Sequence, residues 1–210
     1  MRFPNKSHRA SFSVPLPSAD FAEFCGIMLG DGGMSAYQAV VTLNSAEEGE
    51  YALFVADLME RLFAIRPSIY IRKDKRAMHI VLSRIGITEF LKECGLKQGN
   101  KILQEADIPT WIKEDDAYRI ACMRGLFDTD GSVFTHRYAS KGKSYAYKKL
   151  SFTSVSLPLL HSAKAILNDS GLTPRLGSRY DIRIDSKADV QNYFVRFGSH
   201  NPKHLKRYAS

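Results

Sequence analysis

Two aspartates carry the most specific chemistry in this sequence. Asp31 ends the stretch Phe24-Cys25-Gly26-Ile27-Met28-Leu29-Gly30-Asp31-Gly32, and Asp130 ends Met123-Arg124-Gly125-Leu126-Phe127-Asp128-Thr129-Asp130-Gly131. At the offset of 99 that relates them, Ala22 matches Ala121, Gly26 matches Gly125 and Gly32 matches Gly131. On a helix, Ala22, Gly26 and Gly30 share one face, and so do Ala121, Gly125 and Thr129. Stripes of small side chains let two helix backbones approach closely. Facing stripes would bring both carboxylates together at adjacent helix C-termini, where they repel each other and the negative end of each dipole. A divalent cation relieves that repulsion, and hard oxygen donors suit Mg²⁺. A symmetric acid pair able to share metals fits two-metal phosphodiester hydrolysis.

The elements around both motifs repeat in order. Ser18 caps a helix starting near Asp20 and stopping at Gly32-Gly33. A hairpin over 34–43 turns near Tyr37, and a helix over 46–63 takes Asn44 or Ser45 as its cap. Strands 68–72 and 78–82 pair through a turn at 73–75, and a short helix runs from Thr88 to Cys94. After a connecting segment, a helix over 116–129 is followed by strands 133–138 and 147–155, joined by a long basic turn around Gly142. A helix over 158–170, strands 173–178 and 180–185, and a helix over 187–197 complete the second copy. Residues 198–204 read as a loop before a basic tail. The chain is therefore an internal duplication, and two matched motifs in matched surroundings are far more specific than either alone.

The charge agrees with a polyanion partner. Thirty Lys and Arg against 22 Asp and Glu give +8 and a pI near 9.4. Residues 131–168 hold Arg137, Lys141, Lys143, Lys148, Lys149 and Lys164 with no acid before Asp169. One-sign stretches favour nucleic acid through counterion release. Cys25, Cys94 and Cys122 are distant from one another and set among apolar residues, which suggests reduced thiols in a cytoplasmic protein. No zinc spacing, membrane-spanning run or secretory signal is expected, and an organellar origin is compatible with this composition.

The sequence resembles the single-chain, two-motif LAGLIDADG homing endonucleases. Residues 24–32 and 123–131 carry the match, supported by Ile108-Pro109-Thr110-Trp111-Ile112 and Gly198-Ser199-His200-Asn201-Pro202-Lys203. Leu29 and Gly30 depart from the family's Asp-Ala in the first motif, and Thr129 replaces an Ala in the second. The resemblance implies an α+β fold of duplicated αββαββα units, with two four-stranded antiparallel sheets forming a DNA-binding saddle about a pseudo-two-fold axis. Residues 1–17 would be a flexible basic arm, 18–96 and 116–210 the two repeats, and 97–115 their linker. The implied activity is site-specific hydrolysis of both strands of double-stranded DNA across the minor groove, leaving 3′ overhangs. It implies a monomer with two or three Mg²⁺, replaceable by Mn²⁺, and a long, partly palindromic target. The alternative is a non-cleaving nucleic-acid-binding protein of the same fold, an intron maturase with RNA as partner or a transcription regulator.

By the same resemblance, Asp31 and Asp130 are the metal-binding acids, with Gly30 and Thr129 beside them in the ligand set. Lys97 and Lys203 match the basic residue that follows the final helix of each half. Asn44 and Ser154 match polar residues that close the second strand. For reading DNA, strand alternation puts Lys149, Ser151 and Thr153 on one face, with Arg175, Arg179 and Arg183 nearby and Ser68, Tyr70 and Arg72 in the first half. Ser35, Tyr37, Gln38, Thr42, Lys73, Lys75, Arg137, Lys141 and Lys143 extend the expected interface along the hairpins and turns. Arginine reads base edges and lysine serves bases or phosphates.

Overall fold

A computed structural model of the chain describes residues 11–72, 75–101 and 103–210. Two helices form the spine. Helix α1 (Ala19–Leu29) opens where the Ser18 hydroxyl accepts the Phe21 N–H at 3.2 Å. It ends at Leu29, short of Gly32-Gly33, because Gly30 leaves helical geometry at ψ −101°. After strands β1 (Gly32–Met34) and β2 (Ala39–Asn44), helix α2 (Gly49–Phe63), strands β3 (Ser68–Arg72) and β4 (Ala77–Leu82) and helix α3 (Ile85–Glu93) complete the first half. The short helix α4 (Thr110–Lys113) interrupts the connecting segment. Helix α5 (Asp116–Asp130) then runs straight into β5 (Gly131–Ser140), followed by β6 (Lys143–Thr153), helix α6 (Leu157–Asp169), strands β7 (Arg175–Ser178) and β8 (Asp181–Ile184), and helices α7 (Lys187–Arg196) and α8 (Pro202–Ala209).

The two sheets have equivalent strand orders, β1-β2-β4-β3 and β5-β6-β8-β7, all antiparallel. In the first, Val41, Leu43, Met78 and Ile80 face the core, while Thr42, His79 and Tyr70 align across the opposite face. In the second, Val133, Leu150, Phe152, Ile182 and Ile184 face inward. Cys25 and Cys122 are buried and Cys94 half-buried, all as free thiols. Among the described residues no helix is long and apolar enough to cross a membrane.

Four local readings change. Neither Asn44 nor Ser45 caps α2; the cap is Glu48, whose carboxylate turns back to accept the Asn44 N–H at 2.8 Å. Helix α3 starts at Ile85, three residues before Thr88. The long basic turn around Gly142 is instead a continued ladder. β5 and β6 pair as far as Ser140 and Lys143, and Lys141 and Gly142 close the turn at φ 49° and 74°. Positive φ at both central residues matches the twist of a two-residue hairpin. Tyr138 stacks on Tyr145 with centroids 5.1 Å apart, so cross-strand aromatic pairs sustain the extension. Finally, the expected loop and tail are helix α8, capped by Asn201, whose side chain accepts the Lys203 N–H at 3.1 Å, with Pro202 at the first turn.

Candidate functional site

The small-residue stripes of α1 and α5 meet at backbone contact. A Cβ on Gly26 would lie 2.1 Å from the Cys122 carbonyl oxygen, and one on Gly125 would lie 2.3 Å from that of Glu23. At the C-terminal end, a Cβ on Gly30 would lie 2.0 Å from Thr129 Oγ1 and 3.4 Å from Asp130 Cγ. Asp31 and Asp130 therefore share one end of the helix pair. Burial raises the Asp31 pKa to about 6, helped by Glu48 and opposed by Lys101 and Lys203. Burial and the Asp31 charge raise Asp130 to about 7, opposed by Lys101. Half-buried carboxylates with raised pKa values and too little positive charge around them are a donor set that fits hard divalent cations. The Thr129 hydroxyl instead donates to the Gly125 and Leu126 carbonyls at 3.1 and 2.9 Å.

The lysine in reach of both acids is Lys101. Its ammonium donates to the carbonyls of Met28 (3.2 Å), Leu29 (2.9 Å) and Gly30, closing the end of α1. Burial lowers its pKa, while Asp130 and Asp31 hold it up. Lys97, the lysine expected there, is exposed beside Glu93, Pro109 and Trp111. Past the left-handed turn at Gly95 (φ 100°), Lys97 still borders Met28, Leu29 and Gly32, but it is Lys101 that bonds the carbonyls at the end of α1. One sequence signal favoured Lys101. Asn100 stands one residue before it where Asn201 stands two before Lys203, and both asparagine side chains accept a backbone N–H, three and two residues on respectively.

Lys203 meets expectation in part. It lies close enough to lower the Asp31 pKa, but it is bonded to Glu48 Oε1 at 2.5 Å. Glu48 was not anticipated. It is nearly inaccessible and also accepts from Asn201 Nδ2 at 2.9 Å. Asn44 is exposed, its side chain spent on the Ala46 N–H at 2.8 Å. Ser154 lines a pocket of about 390 Å³ beside Asp130, together with Gly30, Lys101, Ser156 and Leu159.

A second polar cluster lies along the helix pair. Ligand atoms of Glu23, Asp128 and His200 come within 4.8 Å of one another. These carboxylates are already satisfied. Glu23 accepts from Arg124 at 2.6 Å and pairs with His200 Nδ1 at 2.6 Å, and Asp128 accepts from Ser199 at 2.5 Å and from the His200 N–H at 2.7 Å. Burial alone would raise the Glu23 pKa, but His200 and Arg124 outweigh it and hold Glu23 below its ordinary value. With a guanidinium in its middle, the cluster ties the loop after α7 to the spine and is poor in free ligand positions.

The outer sheet faces hold most of the expected DNA-binding residues. Ser68, Tyr70 and Arg72 are exposed along β3, with Tyr70 stacked on His79 (5.0 Å) and Thr42 Oγ1 3.1 Å from His79 Nδ1. His79 was not foreseen. Gln38 is exposed and bonds Ser83, while the Ser35 hydroxyl accepts the Tyr37 and Gln38 N–H groups in the β1–β2 turn. Tyr37, Lys75, Arg137, Lys141, Lys143 and Arg179 are exposed; Lys73 lies outside the described residues. Arg137 occupies the opposite face of the hairpin from Tyr138 and Lys149. The second sheet differs from expectation in being zwitterionic. Lys149 pairs with Asp185 at 2.8 Å, Arg175 pairs with the same carboxylate, and Arg183 pairs with Asp181 at 2.6 Å. Ser151 is half-buried opposite Arg183, and Thr153 is 3.5 Å from Asp181. These acids hold the basic groups in fixed orientations.

The acid pair makes stability depend on pH. Both carboxylates bind protons more tightly in the folded chain than in the unfolded one, where they titrate near 4. Their contribution is therefore most favourable at low pH and is lost as pH rises through about 6 and 7, and Asp128, which burial also raises to about 7, loses its own over the same range. Below about pH 6.5 His204 acts in opposition, since burial holds it neutral with a pKa of about 4. Thermal melting without metal is expected to be a few degrees higher at pH 6.5 than at pH 8. The Asp31→Asn/Asp130→Asn double variant should shrink that difference, and millimolar Mg²⁺ should stabilise the parent more at pH 8 than at pH 6.5.

Comparison with known proteins places this geometry. Residues 117–198 match the LAGLIDADG-like domain family. The fold matches the homing endonuclease I-DmoI in complex with DNA and Mn (TM-score 0.56, 18% identity, 86% of this chain and 96% of that one). It also matches the meganuclease I-SmaMI bound to uncleaveable DNA (TM-score 0.58, 13% identity, 93% and 88%). The N-terminal LAGLIDADG domain of DUF199/WhiA matches as well (TM-score 0.57, 17% identity, 88% and 84%). Among curated proteins, the replication factor C small subunit of Methanocaldococcus jannaschii is 26% identical over 189 residues, 90% of this chain. The chain spans only 10% of that relative's length.

Proposed function

From a chain with the single-chain, two-motif LAGLIDADG fold, we propose a divalent-metal-dependent, site-specific double-strand DNA endonuclease acting as a monomer. The observation that carries this reading is the convergence of Asp31, Asp130 and Lys101 at one end of a helix pair in backbone contact. Asp31 and Asp130 would hold the cations, Mg²⁺ or Mn²⁺. Bound cations supply Lewis-acid and water-activating chemistry at phosphodiesters. Lys101 and Lys203 offset charge on the scissile phosphates. The outer faces of the two sheets, with Tyr70, Arg72, His79, Ser151, Arg175 and Arg183, orient the duplex, and the β5–β6 hairpin lengthens the contact. Because the halves differ in sequence, the target needs only partial two-fold symmetry.

The test is incubation with a randomised duplex library and Mg²⁺, followed by recovery of cut ends. A recurring sequence at those ends supports the reading; no cut ends with Mg²⁺ or Mn²⁺ defeats it. The second reading is a protein of the same fold, which the WhiA domain shares, that binds nucleic acid and does not cut. It predicts enrichment of bound duplexes from the same library with none cleaved. Binding to a selected duplex should fall by about a thousandfold or more between 50 and 200 mM salt if six or more phosphates are neutralised. A flat salt profile would remove the basic interface from the account.

A further inference from the structure

The halves of the site are built differently, and the difference centres on Glu48. In the first half, the carbonyls at the end of α1 are closed by Lys101 itself. In the second, the Asp128 carbonyl of α5 is taken instead by Asn201 Nδ2 at 2.9 Å and faces His204 Nε2 at 3.3 Å. Lys203 is left without a helix end to hold it. Its partner is Glu48, the N-cap residue of α2, which reaches across from the first half at 2.5 Å. The same N-cap position of α6 is Ser156, whose hydroxyl donates to the Ala106 carbonyl at 2.5 Å and holds no cation.

The Glu48 carboxylate is itself fixed on three sides. It accepts from the Asn44 N–H, from Asn201 Nδ2 and from Lys203 Nζ, and it is 4% exposed. Lysine is a flexible chain whose ammonium finds a defined place only where an acceptor supplies one. Resting on the nuclease reading above, we propose that Glu48 is a positioning residue: it fixes Lys203 on the Asp31 side of the site, whereas Lys101, in reach of both acids, is held by the end of α1 and not by Glu48, so that the strand nearer Lys203 depends on Glu48 and the other does not.

The experiment uses a selected duplex carrying a different label on each strand, and single-turnover cleavage is followed strand by strand at saturating protein. Glu48→Gln keeps the shape and removes the charge. It should slow one strand by about tenfold or more while the other stays within about twofold. Lys203→Met should slow the same strand, and the double variant should be no slower than the worse single variant. General loss of folding, or of the shared cations, would slow both strands together and would overturn the proposal. So would unchanged rates in Glu48→Gln, slowing of opposite strands by the two variants, or multiplied defects in the double variant. If Glu48→Gln does not melt cooperatively, Glu48→Asp, which draws the carboxylate back by one methylene, must show the same strand bias. A parent protein that cuts neither strand defeats the nuclease reading instead, which separates the two failures.

Discussion

Replacing either Asp31 or Asp130 by alanine is expected to abolish cutting of both strands, by a factor of about a thousand or more, while duplex binding changes by about threefold or less. The reason lies in how the two acids share one site. Each ends a motif on a different half, yet the Asp31 charge helps to raise the Asp130 pKa and Lys101 acts on both. On the proposed reading, cations that Asp31 and Asp130 would hold together would lose their place when either is removed. Binding survives because the outer sheet faces are untouched, and losing a carboxylate beside phosphates removes a repulsion. Strand-resolved gels with Mg²⁺ and binding titrations with Ca²⁺ read the two effects separately. A single variant that nicked one strand at the parental rate would show two independent sites.

The second large effect is on folding. Gly125→Leu is expected to leave no cooperatively folded protein, and Gly125→Ala to cost about 3 kcal/mol or more, at or beyond the usual range for overpacking. The first added carbon would already lie 2.3 Å from the Glu23 carbonyl oxygen, which is backbone and cannot rotate away. To accept it, α1 and α5 must separate, exposing Ile27, Leu126 and the other residues buried between the halves. Separation also parts Asp31 from Asp130, so any Gly125→Ala protein that folds should cut poorly. Gly33→Ala is the control: nothing lies within 4 Å of the added carbon, and stability should move by about 0.5 kcal/mol or less. Chemical denaturation of the three variants checks the order.

The helix pair and its acids were legible because they depend on local pattern twice repeated. Small residues at helical spacing specify close approach, and alternation specified which faces of β6 and β8 turn outward, while β3, expected to bury Ile69 and Ile71, is exposed along its whole length. What was missed depends on where the chain goes after a helix stops. Lys97 and Lys101 are equally basic, and the path of the connecting segment decides that Lys101 is the one that bonds the end of α1. Glu48 looks like one more acid in Glu47-Glu48-Gly49-Glu50. Its importance comes from Asn201 and Lys203, about 150 residues away, and no local pattern records such a contact. The pairing of Asp185 with Lys149 and Arg175 is hidden for the same reason, since it crosses from β6 to the end of β8. Helix α8 was a different failure. Asn201-Pro202 is an ordinary helix start, and the basic run Lys203-His204-Leu205-Lys206-Arg207 obscured it.

The proposed function, taken with the geometry the family resemblance implies, has one shared acid pair addressing two phosphates that would face each other across the minor groove. It is tested most directly by sequencing both ends of a single cleaved duplex at nucleotide resolution. Phosphates that face each other across that groove are offset in the 3′ direction. The account therefore predicts cuts in both strands leaving 3′ overhangs of constant length, lost together in Asp31→Ala and in Asp130→Ala. Blunt ends, 5′ overhangs or a variable offset between the two cuts would contradict it.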